Sequence, residues 1–303
     1  MDDRLVTMIM PAWNPRPDWL HTAVRSVLAQ RGVQIELIVV DDGCPEPVEP
    51  LLADLAEERV RVLRVPHGGP SAARNAGIAA ARGDCIRFVD SDDFFPVDST
   101  ARLAQLVGAD DVIAYGATLM CDAELRPVWK MTARAHDDAA TASLLGLFQV
   151  RVTSMLFPRA VVERTGEWDP GFPASGDWDF VLRALEHAPV RGDGVVATYY
   201  RRHGSSVTAD VRAGQTGARR VVARYFERHP EQRGTDLEQR VEARLAAMAS
   251  RIYFTHGQPR VAISHLRRAL ATDPRAVAEE LSLAPQAIVG KVSYRVRRAI
   301  GTA

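Results

Sequence analysis

The stretch CIRFVDSDD at residues 85–93 joins an apolar, β-prone run to a turn that carries three carboxylates. Similar apolar runs precede it, and each is followed by polar or turn-forming residues and then by a segment with helical spacing. The predicted order is strand Leu5–Ala12, helix Asp18–Gln30, strand Ile35–Asp41, helix Val48–Glu58, strand Val60–Val65, helix Ser71–Arg82 and strand Cys85–Val89. This alternation predicts an α/β fold with a mostly parallel sheet covered by helices.

The pattern is less regular beyond residue 110 and becomes helical throughout beyond residue 210. The predicted elements between these points are strands Val112–Met120, Val152–Phe157 and Val195–Tyr200 and helices near Ala139–Leu147 and Asp177–His187. Residues 1–210 contain 21 Lys+Arg and 30 Asp+Glu, whereas residues 211–303 contain 17 and 8. We therefore predict an α/β domain over 1–210 and an all-helical C-terminal domain over 211–303.

Part of the helical domain, residues 243–276, has the spacing of a single tetratricopeptide repeat. The matching positions are Tyr253, Gly257, Ala262, Leu266, Ala269 and Pro274. An ordinary helical hairpin with small residues at the helix crossing accounts for the same spacing. Because one repeat cannot bury both of its faces, we expect the C-terminal helices to pack on the first domain or on a second copy in a homodimer.

Composition excludes several classes of protein. The chain is 47% hydrophobic and 25% charged, as in an ordinary globular protein, and it has no apolar run of about 18 residues that would span a membrane. The acidic start, MDDRL, lacks the basic region of a signal peptide, so a cytoplasmic location is expected. Three distant cysteines give no disulfide framework or metal motif, and an acidic first domain is a poor binder of nucleic acid.

The turn after Val89 carries the sharpest chemical signal. Holding Asp90, Asp92 and Asp93 together is costly unless a cation neutralises them. Oxygen ligands favour Mg²⁺ or Mn²⁺, and such ions usually bind one or two carboxylates together with substrate phosphates. The turn therefore indicates a nucleotide diphosphate. A solvated acidic turn, followed by a helix cap at Asp98 or Ser99, is the alternative.

Two further side chains are expected near the edge where a parallel sheet binds ligands, Asp42 after a predicted strand and Arg74 in the helix that opens after Gly68-Gly69-Pro70. Asp42 is placed to accept hydrogen bonds from a base or a ribose, or else to cap the next segment. Arg74 is placed to donate to a base or a phosphate, or else to lie on a solvated helix surface.

Seven motifs occur in one order along residues 4–207. They are PAWN at 11–14, SVLAQ at 26–30, VVDDG at 39–43, ARNAGI at 73–78, FVDSDD at 88–93, GDWDFVLRAL at 176–185 and RRHGSSV at 201–207. Together they resemble the family-2 glycosyltransferases of the GT-A fold, which transfer a sugar from a nucleotide diphosphate donor with inversion at the anomeric carbon.

The resemblance implies roles for individual residues. Contacts with the nucleotide are implied for Pro11, Ala12, Trp13, Asn14, Asp42, Arg74, Asp90 and Ser91, with Asp42 and Arg74 at the base and Asp90 near the ribose. Asp92 is implied to bind the metal, although the doubled acid also permits Asp93, and His203 is implied to complete the metal site or close over the diphosphate. Asp177 matches the general base, and Gly176 stands where the family more often has Glu.

Four residues flank the predicted base and are candidates for the acceptor site: Trp168, Asp169, Phe172 and Trp178. Aromatic faces beside carboxylates suit a sugar ring, and packing in the core is the alternative reading of these aromatic residues. The acceptor is a sugar, a lipid-linked molecule or a small molecule. The basic, amphipathic segment 289–301 predicts peripheral contact with the inner face of an anionic membrane, or docking on the acidic domain.

These features predict a metal-dependent inverting glycosyltransferase that uses a UDP-sugar, or a dTDP-sugar, to build a polysaccharide or another glycoconjugate. Two other functions remain open. A nucleotidyltransferase of the sugar-nucleotide pyrophosphorylase type needs a basic, glycine-rich loop after the first strand, where this chain has PAWNPRP. A non-catalytic scaffold that binds sugar nucleotides has no need of a base opposite the metal.

Overall fold

The computed structural model describes residues 2–55, 57–134, 136–172, 175–203 and 211–280. The chain divides into two compact units. The first consists of Met1–Ala140 and Phe148–Arg202, and the second of Thr141–Leu147 and His203–Ala303. The boundary predicted at residue 210 lies within the second unit, and the basic segment 289–301 lies outside the described residues.

The first unit begins with strands and helices that alternate as the sequence predicts. They are β1 (Asp2–Ala12), α1 (Pro17–Leu28), β2 (Val33–Asp41), β3 (Val60–Arg64), α2 (Gly69–Ala80) and β4 (Cys85–Phe88). The helix predicted over 48–58 is wrong, because the segment forms a shorter 3-10 helix, Glu49–Leu55. The Leu51 N–H donates to the Val48 carbonyl three residues back, and Pro50 has no N–H for a longer helical ladder.

The later part of the chain forms α3 (Ser99–Val107), β5 (Ile113–Cys121), β6 (Pro127–Met131), α4 (Ala139–Leu144), β7 (Met155–Pro158), α5 (Arg159–Thr165), α6 (Gly176–Leu185) and β8 (Val190–Arg201). The sequence pattern does not predict α3, β6 or α5. Each of these elements has nine residues or fewer, which is too short to establish a hydrophobic period.

The described strands form one sheet in the order β3-β2-β1-β4-β7-β5-β6, and β8 pairs with β5. Neighbours among β3, β2, β1 and β4 are parallel, and so are β5 and β8. In contrast, β7 is antiparallel to both β4 and β5, and β6 is antiparallel to β5. The prediction of a mostly parallel sheet flanked by helices is confirmed. One edge of the sheet, hereafter the carboxyl edge, contains the C-terminal ends of strands β1, β2, β4 and β8. The antiparallel strand β7 begins at the same edge.

The core of the first unit forms where helices cover the sheet. Met8 of β1 and Val39 of β2 are fully buried together with Val24 of α1 and Leu103 of α3. Every residue of β2 from Ile35 to Asp41 is buried, and most of these residues are apolar. A central parallel strand covered on both faces has this pattern.

The second unit contains α7 (Val211–Arg228), α8 (Asp236–Thr255), α9 (Pro259–Thr272) and a helical stretch at residues 274–280. The pair α8 and α9 packs through the buried residues Ala246, Ala247 and Ala269. Small residues at this crossing fit both the repeat and the hairpin interpretation. None of the described helices is both long enough and apolar enough to cross a bilayer.

Candidate active site

Asp42 follows β2 at the carboxyl edge and organises the loop in front of α2. Its Oδ1 accepts the backbone N–H of Gly68 at 2.8 Å, and its Oδ2 accepts that of Gly69 at 3.0 Å. His67 Nδ1 lies 2.9 Å from the same Oδ2. Only 2% of the Asp42 side chain is exposed. Asp42 therefore shapes this end of the site through residues 67–69, and its direct contact with a base stays a proposal.

Gly43 lets the chain make this close approach. Its φ of +69° lies in the left-handed region, and a Cβ at this position would lie 2.6 Å from the backbone nitrogen of His67. A side chain at residue 43 would therefore push the 67–69 loop away from Asp42. The motif VVDDG thus requires its glycine for steric as well as conformational reasons.

Trp13 and His67 present a flat, open surface beside this loop. Their ring centroids are 3.9 Å apart and the rings are stacked with an interplanar angle of 26°. Trp13 is 49% exposed, and the His67 side chain is 52% exposed. A stacked pair that remains this open offers a face on which a planar base can stack. His67 is not among the residues that the sequence predicts for the site.

The other residues of the PAWN motif have distinct positions. Pro11 is half-buried, and Asn14 is exposed with a φ of +42°. Ala12 is fully buried, and its carbonyl accepts the backbone N–H of Asp42 at 3.0 Å. Ala12 has no exposed surface, and its predicted contact with a nucleotide stays a prediction. Ala12 supports the site from beneath.

The acidic turn after β4 is held in place by Arg201 at the end of β8. The Arg201 backbone N–H donates to Asp93 Oδ1 at 3.0 Å, and Arg201 Nε donates to the Asp92 carbonyl at 2.7 Å. Ser91 is half-buried in the same turn. The position of the carboxylates therefore depends on β8, a strand that lies distant from β4 in the sequence.

Negative charge is crowded in this turn. Burial, partly offset by the Arg74 guanidinium, raises the pKa of Asp90, and the charge of Asp92 adds to the rise. Burial and the charges of Asp92 and Asp90 raise the pKa of Asp93 well above its usual range. Asp93 is fully buried, and its Oδ2 has no hydrogen-bond partner among the described residues. Asp92 is half-buried and is thus the more accessible of the two adjacent acids.

Arg74 and Asn75, in the motif ARNAGI, connect α2 to the acidic turn and to Trp168. Arg74 Nη2 lies 3.0 Å from Asp90 Oδ1, and the Arg74 guanidinium lies over the Trp168 ring at 4.5 Å. The Asn75 side chain donates to the Trp168 carbonyl and accepts its backbone N–H, both at 2.8 Å. Asn75 is a positioning residue that the sequence analysis does not single out.

Two of the predicted acceptor residues lie in the core. Trp168 is fully buried and stacks on Phe180, with ring centroids 4.3 Å apart and an interplanar angle of 5°. Phe172 is 3% exposed. Packing in the core, the alternative reading of these rings, describes both positions, and the acceptor role of Trp168 and Phe172 stays a prediction. Asp169 and Trp178 are half-buried and stay proposals.

Asp177 lies in the first turn of α6. Ser175 immediately before this helix has a φ of +68°, an unusual conformation for a residue with a side chain. Asp177 Oδ1 accepts the Trp178 N–H at 2.9 Å, and the charge of Asp177 contributes to the raised pKa of Asp90. A Cβ at Gly176 would lie 3.3 Å from Ser71 Oγ, so the space beside Asp177 is limited.

Arg151 also lies among these acids, and the sequence analysis does not identify it. Burial lowers the pKa of Arg151, but the charges of Tyr200, Asp177, Asp93 and Asp90 outweigh this effect and raise it. The residue precedes β7, whose antiparallel direction brings the start of the strand to the carboxyl edge. Because Arg151 precedes its strand, the rule that functional residues follow the strands of a parallel sheet does not predict it.

The predicted metal ligands are not all in the first unit. Asp92 and Asp93 lie in the acidic turn, whereas His203 belongs to the second unit. Within the described part of the chain, no group of three His, Cys, Asp or Glu side chains is arranged to hold a metal by itself. The role of His203 stays a prediction.

Comparison with known sequences identifies one family. A family model described as Glycosyl transferase family 2 matches residues 7–163. The succinoglycan biosynthesis protein ExoW of Rhizobium meliloti (strain 1021) is 35% identical over 119 residues, which are 38% of this chain and 37% of that protein. ExoO of the same strain is 40% identical over 105 residues, which are 34% and 30% of the two chains. This chain covers 21–37% of the length of the first four curated relatives.

Comparison with solved structures shows a shared fold. The crystal structure of S. aureus TarS 1-349 in complex with UDP-GlcNAc aligns with a TM-score of 0.53 and 14% sequence identity. The alignment covers 93% of this chain and 92% of that chain. A likeness at this level of identity concerns the fold alone.

Proposed function

Because this chain belongs to glycosyl transferase family 2, we propose that it transfers a sugar from a nucleotide diphosphate donor to an acceptor hydroxyl. The chain has the GT-A fold that the sequence predicts. The observation that carries the proposal is the acidic turn that Arg201 and Arg74 hold at the carboxyl edge, where the charge of Asp177 also contributes to the raised pKa of Asp90. A general base has to lie close to the donor site, because it acts on the hydroxyl that attacks the donor sugar.

We propose UDP as the donor nucleotide, with dTDP as the alternative. The Trp13–His67 stack and the loop held by Asp42 support a planar base at one end of the site. Pro11 and Asn14 flank this end, while Arg74, Asp90 and Ser91 lie toward the phosphates and ribose. The UDP-GlcNAc complex of TarS supports a uridine donor for a protein of this fold.

The acidic turn fits Mn²⁺ or Mg²⁺, because the mutual repulsion of Asp90, Asp92 and Asp93 is the kind of charge that a divalent cation relieves. We assign Asp92 as the main ligand, since Asp93 is fully buried, and retain His203 as an additional ligand. Magnesium sites often take their remaining ligands from substrate phosphates and water, so three preassembled side chains are not required. When bound, the ion supplies Lewis-acid stabilisation of the leaving diphosphate.

The chain's own residues then perform the transfer. Asp177 accepts the proton of the acceptor hydroxyl while that oxygen forms a bond to the anomeric carbon. The bond from the anomeric carbon to the diphosphate oxygen breaks, and its electron pair leaves with the diphosphate. Attack from the face opposite the leaving group inverts the anomeric centre. Asp169 and Trp178 lie near Asp177 in the sequence and are proposed to contact the acceptor.

The biological product is proposed from the relatives. ExoW and ExoO are named for succinoglycan biosynthesis, which supports assembly of a polysaccharide or another glycoconjugate. The acceptor is accordingly a sugar or a lipid-linked molecule, with a small molecule as the alternative. A cytoplasmic location, contact with the membrane through residues 289–301, and a homodimer through the C-terminal helices are further proposals that the described residues do not test.

Asp177→Asn tests the proposed reaction. We expect the hydrolysis of UDP-sugars, in which water replaces the acceptor, to slow by about 10²–10⁴-fold because the base is lost. The affinity for UDP with Mn²⁺ should not fall, because the base does not bind the nucleotide and its charge repels the diphosphate. Asp110→Asn, at a carboxylate that is 75% exposed, is the matched control.

Two results would contradict the proposal. One is a folded Asp177→Asn protein that turns over UDP-sugars at the wild-type rate. The other is a wild-type protein that binds none of UDP, dTDP and GDP in calorimetric titrations with Mn²⁺. The first result would show that Asp177 is not the base. The second would show that the donor is not a nucleotide diphosphate sugar.

A further inference from the structure

Arg151 differs from the neighbouring arginines in what its guanidinium contacts. Its Cζ lies 4.5 Å from the centroid of the Tyr200 ring, at the end of β8. Across the ranges that the structure describes, no protein group accepts a hydrogen bond from this guanidinium. A guanidinium has five N–H donors in a rigid fork. Arg151 therefore presents a set of unused donors at the carboxyl edge.

Two other arginines at this edge, Arg74 and Arg201, are already engaged with the protein. Arg74 is ion-paired with Asp90 and lies over Trp168. Arg201 donates to the Asp92 carbonyl and to the carbonyl of Ala123. These side chains fix the shape of the acidic turn, and rotating them toward a ligand would break those contacts.

The charges of three carboxylates act on Arg151, although no ion pair with it occurs among the described residues. Asp90 and Asp93 belong to the acidic turn, and Asp177 begins α6. An anion that enters between these groups is repelled by all three carboxylates. A fixed cation located among them offsets this repulsion at the point where the anion has to bind.

We infer that Arg151 binds the diphosphate of the donor, an inference that rests on the function proposed above. The forked donors match the geometry of phosphate oxygens, and the Tyr200 ring holds the guanidinium in place from one face. Tyr200 directly precedes Arg201, which holds the acidic turn, so Arg151 lies beside that turn, and the charge of Asp177 also acts on it. Negative charge develops on the diphosphate during transfer, so the same contact stabilises the leaving group.

The inference is tested by titrating UDP and UMP into the full chain with Mn²⁺ present. We expect Arg151→Met to weaken the binding of UDP by about 10- to 100-fold, the effect of losing hydrogen bonds to a charged group. The affinity for UMP should stay within about twofold, because UMP lacks the second phosphate. Arg151→Lys, which keeps the charge without the fork, should give an intermediate affinity for UDP.

Arg164→Met is the matched control, since Arg164 lies on α5 in an exposed ion pair with Asp111. It should bind UDP as the wild type does. A folded Arg151→Met protein with wild-type affinity for UDP would overturn the inference while leaving the proposed function intact. Equal weakening of UDP and UMP would also overturn it, because that pattern indicates a general structural role. A wild-type protein that binds no nucleoside diphosphate overturns the proposed function and this inference together.

Discussion

The parallel part of the sheet, β3-β2-β1-β4, and the mixed part, formed by β7, β5, β6 and β8, contribute to the carboxyl edge in different ways. In the parallel part, functional side chains directly follow the strands, as Asp42 follows β2 and Asp90 follows β4. In the mixed part, Arg151 precedes β7, and Arg201 is the last residue of β8. Strand direction therefore decides which end of an apolar run carries chemistry.

The parallel and mixed parts of the sheet also have different roles at the site. The parallel part supplies the loop and rings proposed to bind the base and the carboxylates proposed to bind the metal. The mixed part supplies cations that restrain or balance those carboxylates, as the contacts of Arg201 with Asp92 and Asp93 show. A change in either part should therefore give a distinct experimental signature.

Arg87 joins the two parts, and its loss should have the largest effect on stability. This fully buried side chain donates to the hydroxyls of Ser99 and Thr100 and to the carbonyls of Thr153 and Ala197. Burial lowers its pKa to about 9. We expect Arg87→Met to lower the free energy of unfolding by about 3–4 kcal/mol, because several buried acceptors lose their donor.

Urea unfolding followed by tryptophan fluorescence measures this effect, since all five tryptophans lie in the first unit. Arg164→Met, which removes only an exposed ion pair, should cost less than about 1 kcal/mol. If the two variants were equally stable, Arg87 would not join the two parts of the sheet.

Two glycines with similar backbone conformations allow a direct comparison of the parallel and mixed parts of the sheet. Gly43, after β2, has a φ of +69° and no space for a Cβ, whereas Gly194, in β8, has a φ of +66° and nothing within 4 Å of the added atom. We expect Gly43→Ala to lower the free energy of unfolding by about 2–3 kcal/mol and Gly194→Ala by about 1 kcal/mol.

Nucleotide binding sharpens the same comparison. Gly43→Ala should also weaken the binding of UDP, because the new methyl group displaces the His67 backbone, whereas Gly194→Ala should leave it unchanged. Calorimetric titration with Mn²⁺ measures both affinities. Similar losses of stability and affinity in the two variants would show that the close approach at Gly43 has no special role.

The fold of the parallel part could be predicted because strand and helix alternate in segments of adequate length. The sequence also marks an apolar strand at 152–157, close to β7, but nothing in its composition gives its direction. That direction follows from pairing with β4 and β5, which are distant in the sequence. Arg151 is missed for this reason, although the acids that it faces are correctly placed after β4.

The aromatic residues near Asp177 show a second limit. Trp168 and Trp178 both stand beside carboxylates in the sequence, yet Trp168 is fully buried on Phe180 and Trp178 is half-buried. Which ring faces solvent depends on tertiary packing around Phe88 and Phe180, and hydrophobicity alone does not encode it. Candidate acceptor residues are therefore predicted less well than the acids at strand ends.

The smallest expected effect concerns Asp93, the buried acid that Arg201 links to the mixed part. Burial and the charges of Asp92 and Asp90 raise its pKa well above the usual range. Above the ordinary Asp pKa of about 4, the unfolded chain has released a proton that the folded chain retains, so the free energy of unfolding falls as pH rises toward the raised value. Asn at this position does not titrate and can still accept the Arg201 N–H.

We therefore expect Asp93→Asn to stabilise the metal-free protein by about 1 kcal/mol at pH 7 and to flatten the pH dependence of its stability. Asp179→Asn is the opposite control, because Asp179 is equally buried but ion-paired with Arg183 at 2.9 Å, and its loss should destabilise the protein. Urea unfolding in EDTA from pH 5 to 8 distinguishes them. A destabilised Asp93→Asn protein would mean that the Asp93 charge is balanced within the folded chain, as that of Asp179 is, and would remove the charge crowding from which a cation at this turn is inferred.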